Sequence, residues 1–496
     1  MRIFMLGWEF PPFITGGLGT ACYGLTRALD RRGIGVTFAL PRGVAETAAE
    51  HVQLLSPQTA AAAHPGVAPG SPPIPLAQSS TTPAAAQRSS AAAGAAAPSE
   101  AVRAIFQHLE LLGIPVASIS AYARPGGGGA PVVTAAEIDF IRTMLKQTAP
   151  ERREEARSLE QRLLETVLPE AAHINTDGAQ PGDENAAPQI DYAGDLVGQV
   201  HRYAQFCLTA ARTQQFDVIH AHDWLTFPAG LAVAGLTGKP LVVHVHSTEF
   251  DRSGEHVHQR IYDIERRGMH GAMKVITVSQ LTKNTVVYRY GIPPGKVEVV
   301  YNGVEFKPTQ PGPIGIDSQE KIVLYFGRIT MQKGPEYFIR AAQRVLEYMD
   351  DVKFVVAGSG DMAGSMIEMA ARMGIGHKVL FTGFLRGKDI ERIFALADLY
   401  VMPSVSEPFG IAPLEAMSHD VPVIISKSSG VSEVLSHALK VDFWDTDDIA
   451  NKIIAVLRHP PLRRALSEHG RFEVRQITWD GAAERCEKIY RSLLKR

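Results

Sequence analysis

The chain reads as α/β, with two Rossmann-like, doubly wound parallel-sheet domains facing a central cleft. Three observations predict this. The 496 residues exceed what one hydrophobic core sustains. Short apolar runs rich in Val and Ile recur through both halves, separated by stretches of helical spacing, as buried parallel strands and crossover helices require. Glycine-rich or charged loops follow several of these runs, where open α/β sheets bind ligands.

Composition narrows the class. Apolar content of 45%, charged content of 21% and a net charge of −2 fit a globular protein without a broad nucleic-acid surface. Cys22, Cys207 and Cys486 share no ligand-like spacing, so neither a disulfide framework nor a zinc site is expected. The chain opens directly into a strand, and no apolar segment reaches the roughly 18–20 residues a bilayer span needs. The expectation is a cytoplasmic protein with no transmembrane segment and no nucleic-acid partner.

The first domain is expected over 1–300. A strand over 2–6 leads into Gly16-Gly17-Leu18-Gly19, a helix over 20–32 closed by Gly33, and a strand over 36–40. The glycines suit close approach of a phosphate or sugar, or simply a tight turn; the spacing is not GxGxxG, so no dinucleotide cofactor is expected. Trp8 beside the loop reads equally as a sugar-stacking ring or a packed aromatic. Residues 44–188 read as an insertion without chemistry. Within it, 56–99 is rich in Ala, Pro, Ser and Gly and is expected to be disordered, 132–168 is charged and helical in pattern, and 177–187 reads as a loop.

The sheet resumes over 216–220, followed by Ala221-His222-Asp223-Trp224. A strand over 241–245 ends at His246-Ser247-Thr248-Glu249, and one over 274–278 precedes Ser279 as a helix cap. His220, His222, His244 and His246 pair two apart on each strand. A metal is one reading of them, but no carboxylate or cysteine completes a ligand set, and a polar cleft is the preferred reading.

After the Asn302-Gly303 turn, the second domain is expected over 301–475, with strands over 322–326, 353–356, 379–382, 398–402 and 421–425. The loop from Gly327 to Gly334 brings Arg328, a planar fork, and Lys333, a point charge, in front of a helix over 335–349. The turn Glu407-Pro408-Phe409-Gly410-Ile411-Ala412-Pro413-Leu414-Glu415 joins a strand end to a helix start, with Pro413 expected at the first helical position. Gly410 permits close approach, and the amides of Gly410, Ile411 and Ala412 point at an anion in front of them. Glu415 taken alone reads also as an ordinary first-turn acid. The two carboxylates bracketing an anion site suit a ligand with phosphate in the middle and hydroxyls at both ends. An amphipathic helix over 480–494 closes the chain.

The spacing of Glu407 and Glu415 resembles the E-x7-E motif of retaining GT-B glycosyltransferases of families 4 and 5, which include glycogen and starch synthases. Gly327-Arg328 with Gln332-Lys333-Gly334 resembles their diphosphate clamp, and His220-Ala-His-Asp-Trp224 their His-x-His-Asp-Trp segment. The chain departs at Ile14-Thr15-Gly16-Gly17-Leu18, where bacterial glycogen synthases carry lysine first. The resemblance implies a hexosyl, foremost glucosyl, transferred from a nucleoside diphosphate sugar to a growing α-glucan, or alternatively to a small-sugar, sugar-phosphate or lipid-linked acceptor. It implies catalytic roles for Asp223, His246, Arg328, Lys333 and Glu407. His244 is the competing register for His246. Donor contacts fall to Gly16, Gly17, Gly410, Ile411, Ala412 and Glu415, and more weakly to the backbone of Gly358-Ser-Gly360 and Phe381-Thr-Gly383. No metal or cofactor is required, and a closing helix over 476–496 crosses back to the first domain.

Overall fold

The computed structural model describes residues 1–11, 17–42, 51–57, 196–305 and 320–495. The expectations for Gly16, for 58–195 and for the Ile14-Thr15 departure lie outside these residues. Two compact units emerge. One holds 1–39, 45–54 and 215–496, and contains most of both sheets; the other holds 40–44 and 55–214. In the second, the described helix Leu196–Thr213 buries Leu196, Val200, Tyr203, Ala204, Cys207 and Leu208 along one stripe.

The first sheet is parallel at every described pairing between β1 and β2 and from β4 to β7. It has seven strands: β1 Arg2–Leu6, β2 Gly35–Ala39, β3 Gln53–Leu55, β4 Val218–His222, β5 Leu241–Val245, β6 Lys274–Thr277 and β7 Val297–Val299. Their spatial order is β3-β2-β1-β4-β5-β6-β7, so the order reverses between β1 and β4, the switch point of a doubly wound sheet. β1, β4 and β5 are buried on both faces, which is why they read as continuous apolar runs.

The second sheet has six strands: β8 Lys321–Phe326, β9 Val352–Ala357, β10 Val379–Gly383, β11 Leu399–Met402, β12 Val423–Ser426 and β13 Leu439–Val441. Their order is β10-β9-β8-β11-β12-β13, and the switch falls between β8 and β11. Apolar side chains of β8, β9 and β11 meet the helices Pro335–Leu346 and Thr446–Arg458 on one face, with Phe338 and Phe354 fully buried.

Two short segments tie the sheets' connections together. Val304 N donates to the Ile477 carbonyl at 3.0 Å, and Gly303 lies so close to the Thr478–Trp479 backbone that a Cβ would overlap it. Beyond that point the helix Trp479–Leu494 packs along the helix Gly17–Arg31, with Trp479 against Gly24 and ion pairs Arg31–Asp480 and Arg32–Glu487.

Several expected boundaries shift, with physical reasons. β3 falls inside the segment read as an insertion, yet it is an edge strand of the first sheet, and Thr37 Oγ1 meets Gln53 Oε1 at 3.2 Å. The strand expected over 216–220 runs instead through His222, because Ile3 pairs with Val218 and His222 pairs with His244. β12 begins at Val423, after Pro422, which has no N–H to give. The helix expected from 20 begins at Gly17, so Gly17 lies in its first turn. Pro413 is the second residue of the helix Ala412–Ser418 rather than the first.

Candidate active site

The site on the second sheet grows from three strand ends. After β8, Gly327 N donates to the Ala357 carbonyl, and Ile329 N to Ser359 O at 2.9 Å, pressing this loop onto the end of β9. Gly358 lies against the Gly327 carbonyl so tightly that no side chain would fit. The short 3-10 turn Met331–Lys333 is fixed from β11, because the amides of Val405 and Ser406 both donate to the Gln332 carbonyl. Arg328 is exposed, and its guanidinium donates to Gln332 Oε1 at 3.2 Å.

Lys333 and Glu407 form a close ion pair at 2.5 Å, with side-chain exposures of 19% and 10%. Glu407 is itself pinned by backbone. Its N–H donates to the Ser428 carbonyl at 3.0 Å, and its carbonyl accepts from Gly430 N at 2.9 Å. An ammonium carries three N–H donors, so the pair orients Lys333 and leaves two donors for an anion. Gly410 has φ of 101°, a conformation side-chain-bearing residues rarely adopt, and it rests against the Glu407 and Met402 side chains. The amides of Gly410, Ile411 and Ala412 donate to no protein acceptor among the described residues. Glu415 is half-buried in the first helical turn, on the same segment.

The site on the first sheet is built differently. His220 and His222 on β4, with His244 on β5 and His246 just beyond it, stack on one face with ring centroids 4.2–5.3 Å apart between neighbours. His220, His222 and His244 are buried. Burial lowers the pKa of His220 and of His246 to about 3, and holds those of His222 and His244 well below the usual imidazole range. The stack is therefore neutral. Ring nitrogens of His220, His222 and His244 all lie within 4.8 Å of one another, close enough to suggest a metal. The rings are tilted by only 14–32°, however, so their lone pairs lie in near-parallel planes rather than converging on one point, and tetrahedral zinc would need the rings turned.

Asp223 follows the stack with φ of 57°, a strained value for a residue other than glycine. Its Oδ1 accepts from the amides of His246 at 2.7 Å and Ser247 at 3.3 Å. Burial pushes its carboxyl up to about 7, against the pull of those two amides and of Arg252. Asp223 thus holds the loop that carries His246. Trp8 is buried, as the packed-aromatic reading has it.

Asp251 connects the two sites. Its Oδ2 accepts from Thr248 N and Thr248 Oγ1, both at 2.7 Å, closing a capping box on the helix Glu249–Ser253. Its Oδ1 accepts from Ser406 Oγ at 2.7 Å, one residue before Glu407. Nearby, Glu433 accepts from the amides of Gln280 and Leu281 at 2.8 and 2.7 Å, at the start of the helix Gln280–Tyr290. The structure thus brings Lys333 and Glu407 into contact and joins their segment to the His246 loop. Sequence reasoning missed Asp251, Ser406 and Glu433. The Thr248-x-x-Asp251 box was readable, but nothing in the sequence marked its second partner.

Comparison with known proteins sharpens this geometry. Residues 306–472 match the model for glycosyl transferases group 1, 190–307 that for glycosyltransferase family 4, and 2–72 the starch synthase catalytic domain. An uncharacterized glycosyltransferase of Methanocaldococcus jannaschii is 34% identical over 296 residues, covering 56% of this chain and 75% of the relative. The chain belongs to the GT-B glycosyltransferases of families 4 and 5. It is a transferase enzyme. Within the family, it is similar to the α-maltose-1-phosphate synthase of Mycolicibacterium smegmatis, 30% identical over 56% of this chain and 79% of that one. It is also similar to a D-inositol 3-phosphate glycosyltransferase of a Mycobacterium species, 28% identical over 55% and 68%. Among solved structures, sucrose-phosphate synthase from Thermosynechococcus elongatus shares the fold, with a TM-score of 0.63, 16% identity and coverage of 100% and 99%. Anabaena HepE in complex with UDP-glucose does so at 0.59, with 16% identity and coverage of 99% and 100%. No helix among the described residues is long and apolar enough to cross a membrane.

Proposed function

We propose that this glycosyltransferase moves a hexosyl unit, with retention, from a nucleoside diphosphate sugar to a small phosphorylated sugar or polyol. The observation that carries the donor half is the Lys333–Glu407 pair beside the unpartnered amides of Gly410, Ile411 and Ala412. As the glycosidic bond breaks, charge develops on the departing diphosphate. Lys333, Arg328 and those amides are positioned donors for it, and each such donor is worth about 10²–10³ in rate. No metal enters this scheme. Glu407 then orients Lys333 and accepts from sugar hydroxyls, while Glu415 accepts from the ribose. Asp223 and His246 serve the reacting sugar from the other sheet, and the amides ahead of Pro413 and the glycines at 358–360 take the remaining donor contacts.

The acceptor half rests on the relatives. The named ones at 28–30% identity are described by products or substrates that are sugar or inositol phosphates. A growing α-glucan is the second reading, favoured by the starch synthase match over 2–72. The experiment is nucleotide release from UDP-glucose and from ADP-glucose, each with glucose 1-phosphate, inositol 3-phosphate or glycogen. Release stimulated by a phosphorylated acceptor, with an α-linked product by NMR, supports the proposal. Release stimulated by glycogen alone transfers it to the second reading.

A further inference from the structure

The histidine stack contains a bond whose direction has a chemical consequence. His222 Nδ1 and His246 Nε2 are 2.9 Å apart, so one proton lies between two neutral rings. The other nitrogen of His222, Nε2, is buried without a partner among the described residues. The other nitrogen of His246, Nδ1, is not among the buried unpartnered atoms, and His246 is the half-exposed member of the four. Two arrangements are possible. If His246 Nε2–H donates, His222 must carry its one N–H on Nε2, buried with nothing among the described residues to receive it. If His222 Nδ1–H donates, Nε2 of His222 is a bare lone pair, and His246 must be protonated on Nδ1.

Buried orphan donors are rarer than under-used acceptors. Neither nitrogen of His244 has a partner among the described residues, so this pocket already holds one unpaired N–H, and a second would add the desolvation penalty of another donor. The other end of the stack follows the same pattern: His220 Nδ1 meets Tyr490 Oη at 2.6 Å and its Nε2 is unpartnered. We infer that His222 is a positioning residue that fixes His246 in the Nδ1–H tautomer, so that His246 offers the site a hydrogen-bond donor rather than an acceptor. His246 then suits a sugar or leaving-group oxygen that gains charge as the bond to the donor breaks. The burial of His220, His222 and His244, with the partial burial of His246, keeps this arrangement neutral at physiological pH.

The role of His246 towards a sugar rests on the function proposed above; its tautomer does not. The test therefore begins without substrate. Protein labelled with ¹⁵N-histidine, with His246→Gln used to assign the signal, is examined by long-range ¹H–¹⁵N correlation at pH 7.5. The expected pattern for His246 is Nδ1–H with an unprotonated Nε2. An Nε2–H pattern overturns the inference whatever the activity. His222→Phe keeps a flat ring in the stack and removes the bond, while His222→Asn keeps an N–H near the Nδ1 position. With UDP-glucose or ADP-glucose turnover, His222→Phe is expected to lose about tenfold or more in kcat with donor KM changed less than threefold. His222→Asn is expected to recover most of that loss and to restore the wild-type His246 spectrum. Equal kcat in His222→Phe and wild type, in folded protein, contradicts the positioning role. Absence of turnover in the wild type with both donors and all acceptors counts against the function proposed, while the spectrum still decides the tautomer.

Discussion

The ends of the two sheets present opposite chemistries. On the second sheet, a cation and an anion sit in contact beside open amides, and glycines bring the backbone forward. On the first, four imidazoles are stacked and neutral, three of them buried, and a strained aspartate ties down the loop that follows. The two sheet ends divide the labour. The second sheet is equipped to read charge on a ligand, and it obtains that ability from main-chain geometry plus two basic residues. The first sheet is equipped to orient, and it does so with a histidine stack that stays neutral.

Four experiments test this contrast, in decreasing order of expected effect. Lys333→Met removes a positioned cation, and kcat for nucleotide release is expected to fall about 10²–10³-fold. It also strands Glu407, so chemical denaturation is expected to report about 1–3 kcal/mol of lost stability. A rate loss no greater than that stability loss accounts for would dissolve the contrast.

The second measures the dependence of stability on pH. His220 has a native pKa of about 3, and His222 and His244 are also held low by burial, so the unfolded chain takes up their protons first as pH falls below about 6.5. Stability contributed by their neutrality is present above that value and is lost on acidification, by about 1.4 kcal/mol per histidine per pH unit. Urea midpoints at pH 7.5, 6.5 and 5.5 are expected to drop most over the last step, and a flat series counts against a neutral stack. Asp223 acts with the opposite sign. Its carboxyl is raised to about 7, so its contribution falls as pH rises from about 4 to 7, and it partly offsets the histidines in that window.

Third, the ionised Asp223 is the better acceptor for the amides of His246 and Ser247. Activity is therefore expected to fall on an acid limb near pH 7, by about tenfold per unit at its steepest. Asp223→Asn is expected to flatten that limb, and an unchanged limb would assign it to another group. Fourth, Ser406→Ala removes one hydrogen bond to Asp251, and a change of about 1 kcal/mol in stability is expected, with kcat falling severalfold. If activity is unaltered, the Asp251–Ser406 bond is not what joins the two sites.

Much of this was legible in the sequence, because parallel strands buried on both faces write themselves as apolar runs and functional loops follow them. Arg328, Lys333, Glu407 and Gly410 were found that way, each from local context. What was missed depends on contacts across long separations. β3 is three residues of unremarkable composition inside a long segment and is defined by its neighbour β2. β13 is equally short and is defined by β12. The pairing of Lys333 with Glu407 spans 74 positions, that of Asp251 with Ser406 spans 155, and that of His220 with Tyr490 spans 270. The histidines two apart were read as sharing a face, yet their stacking needed the register that sets His222 opposite His244. Local pattern reveals which residues stand at strand ends; it carries no record of which end meets which.

The measurement that tests the division of labour most directly is calorimetric binding of UDP and ADP, with uridine and adenosine as uncharged controls, to wild type, Lys333→Met and His222→Phe. One diphosphate is expected to bind well, its affinity to fall tenfold or more in Lys333→Met, and His222→Phe to bind it as wild type does. Diphosphate affinity unchanged in Lys333→Met, or lost in His222→Phe with the fold intact, would contradict that division.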